Sequence, residues 1–310
     1  MVLLSLVYPS YLNLLKGGSL KARAEEAAEI LRNCHLCPRR CGIDRTNGET
    51  GKCGATGTVM VSSCNDHHGE EPPISGTRGS GTIFLTNCDL KCVYCQNYPI
   101  SQMGNGREVS ENELARMMLS LQERGCHNIN FVTPTHYMPQ ILSALAAAAE
   151  QGLRLPVVYN TSGYELAEVL KLLDGIVDIY MPDMRYASDE MGLKYSNVPG
   201  YASHNREAIK EMHRQVGDLE VDEDGIAVRG LVIRLLVLPG DVSGTEETLE
   251  FIAKEVSCES FISLMAQYFP AHRAAQFPPL DRRITRDEYA RALRKMRELG
   301  LTQGWAQLLT

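Results

Sequence analysis

"NCDLKCVYCQNYPIS", residues 87–101, sets three cysteines within eight positions: Cys88, Cys92 and Cys95, in the order C-x3-C-x2-C. It follows directly on "TIFLT" (82–86), a short β-branched run that reads as a buried strand. A structural zinc ion or an ordinary [4Fe-4S] cluster takes four protein ligands. A compact set of three therefore implies an ion or cluster with one position left open, and an open position means chemistry. The alternative is a structural metal site completed by a distant thiol such as Cys64, Cys126 or Cys258.

Working outward, apolar runs alternate with amphipathic helical patterns from residue 82 onward, which predicts βα units around a parallel sheet. Six strands are legible: 82–86, "NINFV" (128–132), "LPVVYN" (155–160), "IVDIYMP" (176–182), "GLVIRLLVLPG" (230–240) and "SFISLMAQY" (260–268). Helices are expected at 110–125, 138–152, 164–175, 202–216 and 245–256, with a final one opened by a capping box of Thr285 and Glu288. Ser110 and Glu113 suggest another capping box, and Asp224-Gly225 a hairpin before the fifth strand. Periodicity leaves two architectures open, a doubly wound sheet and a partial barrel. In both, ligands sit at the carboxyl ends of the strands, where the three-cysteine loop falls. Residues 1–33 read as helical, while 34–81, rich in Gly, Pro and Cys, show little regular pattern and are expected to owe their order to a metal.

The chain has 310 residues, enough for one large domain. A net charge of -7 withholds the basic field that nonspecific nucleic-acid binding needs. The opening "MVLLSLVYPSYLNLL" has no basic start and is too short an apolar run for a span, so neither a signal peptide nor a membrane anchor is expected. Seven of the ten cysteines fall in two tight groups, which suits metal ligation in a reducing compartment and predicts a cytoplasmic protein.

With Tyr94 just before its last cysteine, the loop resembles the cluster loop of the radical S-adenosylmethionine (radical SAM) superfamily. That resemblance implies a partial (β/α)6 TIM-like barrel and a [4Fe-4S] cluster held by Cys88, Cys92 and Cys95, whose unique iron chelates S-adenosylmethionine. Reductive cleavage would yield a 5'-deoxyadenosyl radical that abstracts a substrate hydrogen. The resemblance further implies that "FVTPTH" stands in place of the family's Gly-Gly-Glu run, with Thr133 and Thr135 near the methionyl amino group. "NTSG" is similar to its ribose-contacting segment, through Asn160 and Thr161. "PDMR" offers Asp183 and Arg185, and the strand-borne Arg234 would face the carboxylate. On their own chemistry, Asn160 and Asp183 equally suit helix caps, and Arg234 a pairing with a buried carboxylate. His136 and His272 carry no assigned role.

Upstream, Cys34-x2-Cys37-x3-Cys41 with Cys53 supplies four thiols that suit structural zinc or a second iron-sulfur cluster. Glu70 and Glu71 in "HHGEEPPISG" read most simply as part of a solvated loop. From "LKARAEEAAEILRNCHLCPRRCGI" through "YMPDMRY" the chain resembles radical SAM proteins described as homologues of pyruvate formate-lyase activating enzyme. This implies an N-terminal metal segment (1–81), a core domain (82–310), an electron donor such as flavodoxin or ferredoxin, and an unidentified substrate, with a glycyl-radical enzyme as one candidate. A noncatalytic electron carrier and a metal-stapled interaction module are the competing classes.

Overall fold

The computed structural model describes residues 8–308. Ten strands form one sheet: β1 (Val59–His67), β2 (Ser80–Leu85), β3 (Arg107–Val109), β4 (Ile129–Val132), β5 (Val157–Thr161), β6 (Ile179–Pro182), β7 (Glu220–Val221), β8 (Ala227–Leu236), β9 (Phe261–Met265) and β10 (Gly304–Ala306). Their order is β10-β9-β8-β6-β5-β4-β2-β1-β3, with β7 paired to β8. The six strands legible in the sequence, β2, β4, β5, β6, β8 and β9, lie side by side and parallel. With β10 and β3 as its ends the sheet stays open, so the fold is a partial (β/α)6 barrel.

Both faces of the central strands are covered, and β5 and β6 are buried at every position. This is why those strands read as continuous apolar runs rather than alternating ones. Helix Glu111–Glu123 buries Leu114, Ala115, Met118 and Leu121, one stripe at helical spacing. Ser110 accepts the backbone N–H of Glu113, but the Glu113 carboxylate pairs with Arg107, so only half of that capping box forms. The Thr285–Glu288 box is complete. The alanines of helix Met138–Glu150 do more than favour helix: helix Ser19–Glu29 packs over them, and Ala144, Ala148 and Ala149 are fully buried.

Residues 1–7, within the stretch expected to be helical, lie outside the described residues. After them the stretch is two helices, Tyr11–Lys16 and Ser19–Glu29, broken where Gly18 turns left-handed at φ 72°. The segment is tied to the amino-terminal end of the sheet. The Asp178 carboxylate accepts the N–H of Ser10 at 2.8 Å and that of Val157 at 3.1 Å. The expected helix at 164–175 is only a short turn, Ala167–Leu170, continued by a tighter one.

The expectation of little regular structure across 34–81 is corrected. Residues 59–67 form a nine-residue strand, antiparallel to both β2 and β3. Its second half, Ser63 to His67, is polar and largely exposed, so no two-residue alternation marks it. The strand ends beside Ser80, at the amino-terminal end of β2, and the turn after it tucks in under the strands, where Glu70 reaches Asn130 and Asn160.

Candidate active site

The backbone reverses as it leaves β2. Asn87 adopts φ 67°, a left-handed conformation that asparagine tolerates better than most residues, and its amide donates to the Tyr137 hydroxyl at 3.0 Å. That reversal places Cys88, Cys92 and Cys95 at the carboxyl end of the sheet. Each sulfur has a polar neighbour. The Leu90 N–H donates to Cys88 Sγ at 3.4 Å, the Ser196 hydroxyl to Cys92 Sγ at 2.9 Å, and the Ser101 hydroxyl lies 3.1 Å from Cys95 Sγ. Donors aimed at sulfur stabilise thiolate and are a recognised control on cluster potential. Burial pushes the Cys92 thiol up to about 11 and raises Cys88 as well, so taking up a metal centre must displace protons. Tyr94 holds the loop from beneath, its ring edge-on to those of Tyr186 and Tyr268 at 6.4 and 5.9 Å.

Beside this loop opens a cleft of about 440 Å³, within the roughly 300–1,000 Å³ usual for small-molecule pockets. A chain of charges crosses it. Arg185 pairs with Asp183 Oδ2 at 2.5 Å, Arg234 Nε with Asp183 Oδ1 at 2.9 Å, and Arg234 Nη1 with Glu70 Oε2 at 3.4 Å. Asn130 and Asn160 donate to the other oxygen of Glu70 at 3.1 and 3.4 Å. Burial raises the pKa of Asp183, but the guanidiniums of Arg234 and Arg185 outweigh it and hold the group below the ordinary carboxylate value. For Glu70 burial wins, and its pKa is raised. Two buried groups on the lining of the cleft are left over. Glu71 is 3% exposed, and its Oε2 has no hydrogen-bond partner; neither has the buried Nε of Arg185. One is an acceptor and the other a donor, and both residues line the same cleft.

The structure therefore brings Cys95, Asn160, Asp183, Arg185 and Arg234 together at one cleft. Thr135 and Thr161 are placed elsewhere. Both hydroxyls donate to Oε1 of the buried Glu165, at 2.6 and 2.5 Å, behind the strand ends. Burial, with the nearby Asp89 carboxylate, pushes Glu165 up to about 8. Thr133 sits at φ 61°, rare for a β-branched residue, where its N–H continues the ladder to the Asn160 carbonyl at 2.8 Å. The solvated-loop expectation for Glu70 and Glu71 is corrected: β1 carries them inside, and Arg234 balances Glu70. Adjacent carboxylates were the one sequence signal. Trp305 on β10, which also lines the cleft, had none.

The model of the Radical SAM superfamily matches residues 82–252, more than half of the chain. A relative from Methanocaldococcus jannaschii, itself uncharacterised, is 32% identical over 292 residues, covering 91% of this chain and 79% of its own. The chain belongs to the radical SAM superfamily. Membership makes it an enzyme whose cofactors are a [4Fe-4S] cluster and S-adenosylmethionine. A second uncharacterised protein of that archaeon is 27% identical, over 45% of this chain and 46% of its own. Among solved structures, a radical SAM methyltransferase from Sphaerobacter thermophilus aligns with a TM-score of 0.48 at 17% identity, over 72% of this chain and 66% of its own. Streptococcus suis SuiB bound to the precursor peptide SuiA aligns at 0.47 and 12%, over 71% and 46%. Among the described residues of this radical SAM protein, no helix is long and apolar enough to cross a membrane.

Proposed function

We propose that Cys88, Cys92 and Cys95 hold the family's cluster and that the adjoining cleft binds S-adenosylmethionine. The observation that carries this reading is the pair of unsatisfied groups, Arg185 Nε and Glu71 Oε2, on residues lining the cleft beside that loop. A zwitterion offers a carboxylate to the first and an ammonium to the second, so both buried groups would find the partner they lack. In this reading Glu71 takes over the amino-group contact for which the Gly-Gly-Glu run is missing, and Asn160 faces the ribose. Asp183 acts between Arg185 and Arg234, fixing both guanidiniums rather than meeting the ligand alone. The assignments of Thr133, Thr135 and Thr161 reduce to a backbone role, since two of the hydroxyls are already spent on Glu165.

Bound together, the two cofactors supply reductive cleavage to methionine and a 5'-deoxyadenosyl radical that abstracts hydrogen from substrate. The chain's part is to hold the ligand's charges, keep the loop rigid through Tyr94, and leave a lateral opening at the unclosed sheet. The substrate stays unidentified, a protein segment of the kind that glycyl-radical activating enzymes accept being one candidate by resemblance, and the reductant is of the flavodoxin or ferredoxin kind. Residues 1–81 would then act as a metal-bearing segment on a core of 82–310.

The test is anaerobic. Protein reconstituted with iron and sulfide, then given dithionite and S-adenosylmethionine, is expected to form 5'-deoxyadenosine, and Cys92→Ala to form none. Iron-replete protein that makes none, with a spectrum unmoved by S-adenosylmethionine, overturns the reading.

A further inference from the structure

Cys34, Cys37, Cys41 and Cys53 line one small cavity together with Arg45 and His136. The local fold is built to gather them. Cys34 and Ile43 pair through the Cys34 N–H, and Gly42 returns its N–H to the Cys34 carbonyl, both at 2.9 Å. Gly51 packs so tightly on Cys41 that a Cβ there would lie 2.8 Å from its sulfur. Cys34 and Cys53 are buried, Cys37 and Cys41 half-buried.

Two further observations say that this cavity is made for an anionic metal centre. Arg45 is 1% exposed, yet its guanidinium donates only to carbonyls, those of His136 at 2.6 Å and Thr56 at 2.5 and 3.2 Å, and otherwise lies over the Tyr137 ring, 5.9 Å from its centroid. Among the described residues it forms no ion pair, and a buried cation without a counter-charge is costly. Four metal-bound thiolates beside it would supply that charge. His136 is 2% exposed, and its Nε2 lies 2.8 Å from the Thr86 carbonyl, so Nε2 carries the proton and Nδ1 a bare lone pair. Nδ1 has no partner. An imidazole anchored by one nitrogen with the other free is the arrangement of a metal-site histidine.

The arrangement of the thiols favours one of the two metals that the sequence left open. Among the described residues, no three His, Cys, Asp or Glu side chains converge closely enough to hold a single ion. The four thiols share a cavity without meeting at a point. Zinc draws its thiolates onto one centre, whereas a cluster binds each through a different iron.

We infer that Cys34, Cys37, Cys41 and Cys53 hold a second iron-sulfur cluster, with Arg45 as its buried counter-charge and the free Nδ1 of His136 facing it. The site shares no lining residue with the cleft. It abuts the back of the three-cysteine loop. Arg39 donates to the Asp89 carbonyl at 2.7 Å, and Lys91 reaches the Cys53 carbonyl at 3.4 Å.

The experiment removes the first cluster's ligands and asks what metal remains. Full-length Cys88→Ala/Cys92→Ala/Cys95→Ala protein, reconstituted anaerobically with iron and sulfide in the presence of equimolar zinc, is expected to keep about four irons and a reduced-state paramagnetic signal. In that background Arg45→Gln should shift the signal. One retained zinc without iron overturns the inference, and so does a folded protein that keeps neither metal. If the triple variant does not fold, wild-type protein decides: about eight irons per chain support two clusters, while about four irons with one zinc, or four alone, refute the second. Failure of the cleft reading shows separately, as wild-type iron spectra indifferent to S-adenosylmethionine.

Discussion

The protein has two cysteine-bearing regions, each with an arginine nearby, half-buried Arg234 at one and buried Arg45 at the other, and the arginines differ in what answers them. At the cleft, Arg234 is held by the Asp183 and Glu70 carboxylates, so the charge chain is nearly complete within the protein. At the upstream cavity, Arg45 meets carbonyl oxygens and the Tyr137 ring but no carboxylate. The first region is organised before any cofactor arrives, and its cleft lining leaves two buried atoms, Glu71 Oε2 and Arg185 Nε, suited to a zwitterion. The second is compensated only when something anionic is bound.

The largest expected effects break that contrast directly. Arg234→Met leaves Glu70 buried without its cation and Asp183 with Arg185 alone, and is expected to cost about 3–5 kcal/mol, the same whether or not metal is bound. Arg45→Met should cost a comparable amount in metal-loaded protein and clearly less after the metal is stripped. Urea denaturation of both variants in both states measures the difference, and equal costs for Arg45→Met in the two states would erase the contrast.

Next comes Glu165, which lies between the regions. Its folded pKa of about 8 stands above the ordinary 4.5, so between those values the folded state binds a proton that the unfolded state has released. Stability should therefore be fully present below pH 4.5 and fall as pH rises toward 8, by about 1.4 kcal/mol per unit from this group. Glu165→Gln, which keeps an oxygen for the two threonine hydroxyls, should flatten that part of the profile. An unchanged slope would show that Glu165 is not held protonated.

A smaller effect sharpens the cleft side alone. Glu71→Gln is expected to weaken S-adenosylmethionine binding about tenfold, near 1.4 kcal/mol, with iron content unchanged. Calorimetry on the reconstituted protein reads it, and undiminished affinity would remove Glu71 from the amino group. Smallest is Thr133→Gly, which relieves a left-handed β-branched residue and should raise stability by about 1 kcal/mol in thermal unfolding.

The six parallel strands and the position of the cysteine loop were legible because both are local. Buried parallel strands are short apolar runs, and a metal loop is a spacing. The Glu70–Arg234 pair was not legible, because it joins positions 164 residues apart through an edge strand whose polar half hides its period. Nor did the pattern "NTSG" reveal that Thr161 would turn toward Glu165, which depends on how β4 and β5 pack at their ends.

Taken alone, then, the sequence determined the βα order, the three-thiol set that leaves a coordination position open, and a second group of four thiols. Only the tertiary structure decided which charges meet. It drew β1 against β2 and brought two carboxylates inside, and it sealed Arg45 beside the upstream thiols without an acid. Spacing along the chain records which groups can bind metal. The balance of buried charge exists only once strands distant in sequence have packed and water has been excluded between them.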